Sequence, residues 1–268
     1  MAGSSRVQEP VSHEDLPPAT AWYTRRPGRY RRGRVVAWVR RRRWSTAVLV
    51  VIAVAGAGLW IGHYELQAHY RPALKAGENY GIDVSNHQGD IDWDQVASDG
   101  KVSFAYIKAT EGNDFLDKRF KANWAGAGTV GVDRGAYHFF TLCSPGAEQA
   151  RNFLSVLPTD PAALPPAVDL EFSSCTARPD QATFQRELTA FVTTVEQAVH
   201  RPVVVYTVSS FEQVYPIEPT LTRDRWQRKL FRRPKVDDWT LWQASDRARM
   251  DGIDGPVDLD VRHSAATG

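Results

Sequence analysis

Ala167-Val168-Asp169-Leu170-Glu171 is the stretch from which the fold is read. A short apolar lead-in suits a buried β-strand, and side chains at i and i+2 of a strand share one face. Their Cα atoms then lie about 6.5–7 Å apart, so Asp169 and Glu171 stand side by side at the mouth of whatever the strand opens into. Two such carboxyls hold different protonation states, because ionising one raises the pKa of the other. Glycosidic bond cleavage uses that division: one acid protonates the leaving oxygen while a second charge supports an oxocarbenium-like centre.

Working outward, similar β-rich runs recur at Tyr80–Val84, Phe104–Ala109, Arg134–Phe140, Val203–Thr207, Thr240–Gln243 and Asp258–Val261. Helical patterns lie between several of them. Phe184, Leu188, Phe191, Val195 and Val199 fall on one helical face, with Asp180 placed to cap its start and Pro202 following its end. Ser144-Pro145 reads as an N-cap followed by proline at the first helical position. Strand–helix alternation implies a parallel sheet, and a barrel is its closed form. Polar residues repeatedly sit where an apolar strand ends: Asp83, Lys108, Glu111, His138, Asp169, Glu171, Tyr206 and Gln243. The carboxyl ends of the strands build the active sites of (β/α) barrels. The expected fold class is therefore α/β, a TIM-like (β/α) barrel.

The N-terminal part is different in kind. Residues 1–43 carry 11 Arg against 3 acids without apolar periodicity, which predicts a disordered basic tail. Residues 44–64 contain no Asp, Glu, Lys or Arg and are long enough to cross the ~30 Å hydrocarbon core as a helix. Arg40–Arg43 abut one end, and the positive-inside rule puts that end in the cytoplasm. The expected reading is an uncleaved transmembrane signal anchor, because the apolar run continues past the small Ala53, Ala55 and Ala57 through Leu59, Trp60 and Ile61; secretion after signal cleavage at those alanines is the alternative. Residues 65–79 read as a linker, with an extended reach of ~50 Å, and residues 80–268 as one exported domain.

The first 79 residues are net +8 and the remainder net −6. The basic charge thus belongs with anionic lipid headgroups and gives the folded domain no case for binding nucleic acid. The two cysteines, Cys143 and Cys175, lie in the exported part and predict one disulfide.

Several ordered motifs carry a family resemblance. Tyr80-Gly-Ile-Asp83-Val-Ser85-Asn-His-Gln88-Gly, Ile91-Asp92-Trp93 and Phe104-Ala-Tyr-Ile-Lys108-Ala-Thr110-Glu111-Gly112 resemble the opening motifs of the family 25 glycoside hydrolases, the lysozyme-type muramidases. Gly135-Ala-Tyr137-His138-Phe139-Phe140, Asp169-Leu-Glu171, Val205-Tyr206-Thr207, Leu241-Trp242-Gln243 and Val257-Asp258-Leu259-Asp260 follow in the family's order. The resemblance implies hydrolysis of the β-1,4 bond between N-acetylmuramic acid and N-acetylglucosamine in peptidoglycan glycan strands, by an irregular TIM-like (β/α) barrel with fewer helices than strands. It implies Glu171 as general acid, Asp169 as its partner, and Asp83 and Asp258 as the other acids of the groove. No cofactor and no metal are implied.

Strand spacing alone leaves retaining, inverting and substrate-assisted routes open, with substrate assistance favoured by Asp-x-Glu on one face. Tyr137, Tyr206 and Trp242 are expected to line the groove, where aromatic faces meet pyranose C–H surfaces, with Gln243 beside them. His138 reads equally as a substrate contact and as a hydrogen-bonded core histidine. Lys108 and Glu111 read as a structural ion pair. Asp260 stands where the family resemblance leads to Asn, and alternation makes it co-facial with Asp258. Two rivals remain. One is a non-catalytic wall-binding protein on the same fold. The other is a metal-dependent polysaccharide deacetylase, against which His87, His138, His200 and His263 are too far apart in sequence for a short metal-binding motif.

Overall fold

The structure is a computed structural model that describes residues 31–98, 100–218, 221–235 and 239–263. The chain divides into two units, residues 1–59 and 60–268. Its first described element is helix α1 (Arg31–Ala68). Within α1, Trp38–Ala68 is, among the described residues, the one helix long and apolar enough to cross a membrane. Val48, Leu49, Val50, Val51, Ile52 and Val54 are all more than half exposed, an all-round apolar surface suited to lipid.

The helix begins earlier than expected. Residues 31–43 of the basic tail are helical, not irregular, because no proline interrupts the chain between Pro27 and Pro72 and Arg is a good helix former. Residues 1–30 of the expected tail lie outside the described residues.

The second unit is built on nine strands: β1 (Glu78–Val84), β2 (Val102–Glu111), β3 (Phe115–Leu116), β4 (Asp133–Phe139), β5 (Ala167–Leu170), β6 (Val204–Thr207), β7 (Arg225–Arg228), β8 (Leu241–Ala248) and β9 (Val257–His263). Strands β1, β2, β4, β5, β6, β7 and β8 run parallel in that order. Strand β9 pairs antiparallel with both β8 and β1 and closes an eight-stranded ring, and β3 is a short antiparallel addition to β2. Helices α2 (Trp93–Ala97), α3 (Phe120–Thr129), α4 (Gly146–Val156), α5 (Gln181–Val199) and α6 (Ser209–Glu212) lie between successive strands. Among the described residues no helix follows β7 or β8. The barrel is thus irregular, as the family resemblance implies, and antiparallel β9 departs from the all-parallel sheet that strand–helix alternation predicts.

Alternation along the strands makes two cores. Val168 and Leu170 of β5 face outward against Phe184, Leu188 and Phe191 of α5. The start of α5 follows the expected rule, with Asp180 Oδ1 accepting from the Thr183 N–H at 2.7 Å. The start of α4 differs by one residue: Pro145 is the N-cap and Gly146 the first helical residue, while Ser144 Oγ donates to Asn113 Oδ1 at 3.0 Å.

Inside the ring, Phe104, Tyr106, Tyr137, Ala167, Val204, Tyr206, Trp226 and Leu241 form a packed plug. Two glycines make room for its aromatic rings. A Cβ on Gly81 would lie 2.4 Å from the Phe104 ring, and one on Gly135 would lie 2.5 Å from Tyr106. The plug fills the lower barrel and leaves only the carboxyl ends of the strands open.

The flank without helices is sealed by the chain ahead of β1. Trp239, Trp242, Ala244 and Val261 face outward there and are covered by Tyr70 of that segment, with Tyr80 of β1 packed beside it. Arg233 pairs with Glu78 at 2.6 Å and donates to the Ala73 carbonyl at 2.7 Å, and the Arg249 N–H donates to the Ala68 carbonyl at 3.0 Å. Residues 65–79 are therefore built into the domain and are not a free linker: an apolar sheet face requires cover, and this segment supplies it. The ~50 Å reach of an extended tether does not apply.

Candidate active site

The carboxyl ends of the strands surround a pocket of about 290 Å³. Asp83, Asp169, Glu171 and Asp258 all line it, as do Tyr137, Tyr206 and Gln243. Asp169 is the third residue of β5, and Glu171 is the first residue beyond the strand, so alternation brings both carboxyls to the pocket face. Asp83 of β1 stands directly opposite Asp258 of β9 in the antiparallel ladder. Asp169 is in register with Tyr206 of β6.

A short chain of hydrogen bonds crosses the pocket. The Tyr206 hydroxyl donates to Gln243 Oε1 at 2.9 Å, and Gln243 Nε2 donates to Asp83 Oδ2 at 3.3 Å. The side-chain amide thus fixes both an aromatic wall and one of the acids. Asp169 Oδ1 is enclosed and has no hydrogen-bond partner among the described residues. Unpartnered buried acceptors are uncommon and mark places where a site is waiting to be completed or is under strain.

Enclosure also decides the charge state. Burial raises the Asp169 carboxyl well above its ordinary range, with the charges of Glu171 and Asp83 adding to the rise and Lys108 opposing it. Burial raises Glu171 too, against Arg228 and Lys108, which pull it down. Asp83 is raised well above its ordinary range by burial and then by Asp260. Asp258 is pushed to about 9 by burial and by Asp83. Asp258 therefore keeps its proton near neutrality, and Asp169 and Glu171 as a pair hold protons more tightly than free carboxyls, so that one can donate while the other is ionised. Among the described residues, no group of three or more His, Cys, Asp or Glu is arranged to hold a metal ion.

Trp242, expected in the groove, lies elsewhere, and His138 takes its alternative reading as a core histidine. His138 is fully buried outside the ring, where its Nδ1 meets Thr110 Oγ1 at 2.7 Å, its Nε2 meets Gln149 Oε1 at 3.1 Å, and its ring stacks on Phe191. Burial lowers its pKa to about 3, so it is a neutral core histidine. Tyr137 and Phe139 face the pocket, and alternation sends His138 the other way. Trp242 is also fully buried on the outer face, its Nε1 donating to the Lys229 carbonyl at 2.8 Å. Its neighbour Gln243 is the residue that faces in.

Other pocket residues were not expected. Trp226 and Arg228 come from β7, whose sequence Arg-Trp-Gln-Arg lacks the apolar run that marks a buried strand. Arg228 pairs with Asp246 at 2.9 Å at the rim, where Ser85 and His87 also stand. Lys108 plays two parts: it is ion-paired with Glu111 at 2.6 Å, as expected, and it also lines the pocket over the Phe139 ring. The expected disulfide is present between Cys143 and Cys175, with Cα atoms 5.9 Å apart. It joins the chain after β4 to the chain after β5, four residues beyond Glu171.

The sequence pattern of Glycosyl hydrolases family 25 matches residues 82–253, beginning beside Asp83 and spanning the acid pair at the end of β5. The chain belongs to this family. As a family 25 glycoside hydrolase it is 34% identical over 201 residues to Lysozyme M1 of Streptomyces globisporus, covering 69% of this chain and 68% of that protein. A solved family 25 glycosyl hydrolase from Bacillus anthracis superposes with a TM-score of 0.66 at 32% identity, covering 74% of this chain and 94% of that one. A solved bacterial lysozyme from Streptomyces coelicolor gives a TM-score of 0.62 at 32% identity, covering 72% and 95%.

Proposed function

We propose that this family 25 enzyme is a muramidase that cleaves the β-1,4 bond between N-acetylmuramic acid and N-acetylglucosamine in peptidoglycan, with Glu171 as general acid and Asp169 as its assisting carboxylate. The observation that carries the reading is the pairing of these two acids on one face at the open end of the barrel, both with raised affinity for protons. Likeness to two proteins described as lysozymes supports the substrate class.

In this mechanism Glu171, which follows the strand end, donates its proton to the bridging oxygen as the bond from that oxygen to the anomeric carbon breaks. The substrate's own acetamido oxygen attacks the anomeric carbon, and Asp169 accepts the acetamido N–H and balances the developing positive charge. The unpartnered Asp169 Oδ1 supports a role for this residue as an acceptor. Water then opens the cyclic intermediate, with Glu171 now taking a proton from it. Two displacements at one carbon give overall retention. Tyr137, Tyr206 and Trp226 supply ring faces for the sugar, and Lys108 and Arg228 limit how far the Glu171 pKa climbs.

The apolar helix, with Arg40–Arg43 at one end, supports a single-pass placement: basic end cytoplasmic, barrel on the far side of the membrane beside the wall. The Cys143–Cys175 bond agrees with an oxidising compartment.

Purified sacculi incubated with the full chain in detergent test the function. Muropeptides ending in reducible N-acetylmuramic acid are expected from the wild type, and Glu171→Gln is expected to slow their release by at least ~10²-fold. Equal release by both, or none from either, would favour a wall-binding protein without catalysis. NMR of the anomer formed first tests the route: the β anomer is expected, and inversion would exclude substrate assistance.

A further inference from the structure

The pocket is small for a polymeric substrate. About 290 Å³ is at the lower end of the ~300–1,000 Å³ that small-molecule pockets span, whereas a glycan strand runs on past its cleavage point. Sugars beyond the pocket must cross the rim, and one sector of the rim carries an exposed aromatic ring. That sector is the hairpin of β2 and β3. Phe115 is 43% exposed, and it is the one exposed Phe, Tyr or Trp among the described residues after α1. In the antiparallel ladder Phe115 stands opposite Glu111, so the two side chains share a face. That face is turned toward the pocket, since the Glu111 carboxylate accepts from Lys108, which lines it. The Lys108 ammonium stands between two rings, 4.7 Å from the centre of Phe139 in the pocket and 5.6 Å from the centre of Phe115 outside it. Phe139, Lys108 and Phe115 form a row that leads from the pocket over the rim.

The hairpin is tied down along its length. Asn152 Nδ2 of α4 donates to the carbonyls of Gly112 at 3.0 Å and Phe115 at 3.1 Å, and the Gly112 N–H donates to the Phe139 carbonyl at 3.1 Å. In the turn, Asn113 Nδ2 donates to Glu148 at 3.1 Å, and Asn113 Oδ1 accepts from Ser144 at 3.0 Å. Just past β3, Asp117 Oδ2 accepts from both the backbone N–H and the Nδ2 of Asn86 at 2.9 Å, and Asn86 lies between the pocket residues Ser85 and His87. A lone exposed apolar side chain is ordinary on a protein surface. This one is set apart by its place on the pocket side of the rim and by a backbone that holds it there. A ring so fixed loses little freedom when a ligand covers it.

We propose that Phe115 is a stacking platform for a distal sugar of the glycan strand, one lying beyond the pocket, so that the enzyme holds long strands better than short ones. The ring offers an apolar face to the C–H side of an N-acetylhexosamine, with the Lys108–Glu111 pair beside it for the sugar hydroxyls. The proposal rests on the muramidase reading for the identity of its ligand.

Kinetics of the full chain in detergent on two substrates test it: soluble glycan strands without cross-links, and a short aryl glycoside whose sugar fits within the pocket. Phe115→Ala should raise KM for the strands ~3–10-fold with kcat within ~2-fold of the wild type, and should move neither constant more than ~2-fold on the aryl glycoside. Phe115→Trp, which keeps a ring at the same place, should restore KM on the strands. An unchanged KM on the strands would overturn the proposal. So would an equal loss on both substrates, which is the result expected if Phe115 only packs against Lys108, a charge that acts on Asp169 and Glu171.

Co-sedimentation with insoluble sacculi needs no turnover. Glu171→Gln serves as the background, and adding Phe115→Ala should weaken its binding to sacculi ~3–10-fold, with Phe115→Trp again restoring it. Equal binding with and without the ring would contradict the proposal. This arm separates the platform from the muramidase reading: a wild type that cleaves neither substrate would sink that reading, while the sedimentation result would still decide whether Phe115 holds glycan.

Discussion

Replacing Cys143 and Cys175 together by alanine removes the one covalent tie between the two loops that flank Glu171. The cysteines are 32 residues apart in sequence. A closed loop of that length restricts the unfolded chain by about 12–13 cal/mol/K on the chain-entropy relation, or about 3.7 kcal/mol at room temperature. For a domain of this size each kcal/mol moves Tm by roughly 2–4 °C, so the double variant should melt about 7–15 °C lower. The assay is thermal unfolding of the full chain followed by tryptophan fluorescence, which reports Trp226, Trp239 and Trp242 in and around the barrel. Activity at 25 °C should fall less than stability, because the acid pair is held by β5 and only the chain beyond it is freed. Dithiothreitol should bring the wild type to the same Tm as the variant. A shift below about 2 °C, with the wild type shown to be oxidised by thiol labelling, would refute the entropic account of this bond.

Stability should depend on pH in two opposed ways. The raised carboxyls, with Asp258 near 9, contribute most below about pH 4, and their contribution is lost as pH climbs toward 9. Asp160 and Glu196 are lowered by hydrogen bonds to Arg134 and Arg223, so their contribution is present above about pH 4.5 and lost as pH falls. Tm should therefore peak at mildly acidic pH and decline toward pH 9, and Asp258→Asn should flatten that decline. A Tm rising from pH 5 to 9 would contradict this. Arg228→Met should move the alkaline limb of activity to higher pH, because Arg228 is the larger of the two charges lowering Glu171. An unmoved limb would show that Glu171 does not set it.

The order of the strands and the acid pair were legible because burial on both faces writes apolar runs into the sequence, as in Ala167–Leu170. Strand β7 was not legible. It contributes Arg225 and Arg228 to ion pairs and only Trp226 to the plug, so its apolar pattern is one residue long. Trp242 faces away from the groove and His138 takes the second of its two readings, a hydrogen-bonded core histidine, because polarity or aromaticity at a strand end does not say which face a side chain takes. In the structure, Gln149 and Thr110 satisfy His138 from outside the ring, and the Lys229 carbonyl does the same for Trp242. Residues 65–79 read as a linker because their task, covering the flank without helices, depends on tryptophans some 165 residues later in the chain. Asp260 could be placed on the right face by alternation, but its burial beneath Asp83 required the register of β1 against β9.

The role assigned to Glu171 can be isolated by changing the leaving group instead of the enzyme alone. Aryl glycosides with a dinitrophenolate leaving group need no proton from an acid, whereas the sugar alkoxide released from peptidoglycan does. Glu171→Gln should lose at least ~10²-fold on sacculi yet retain most of the bond-cleaving step on the activated aryl glycoside. An equal loss on both substrates would mean that Glu171 does not act by donating a proton.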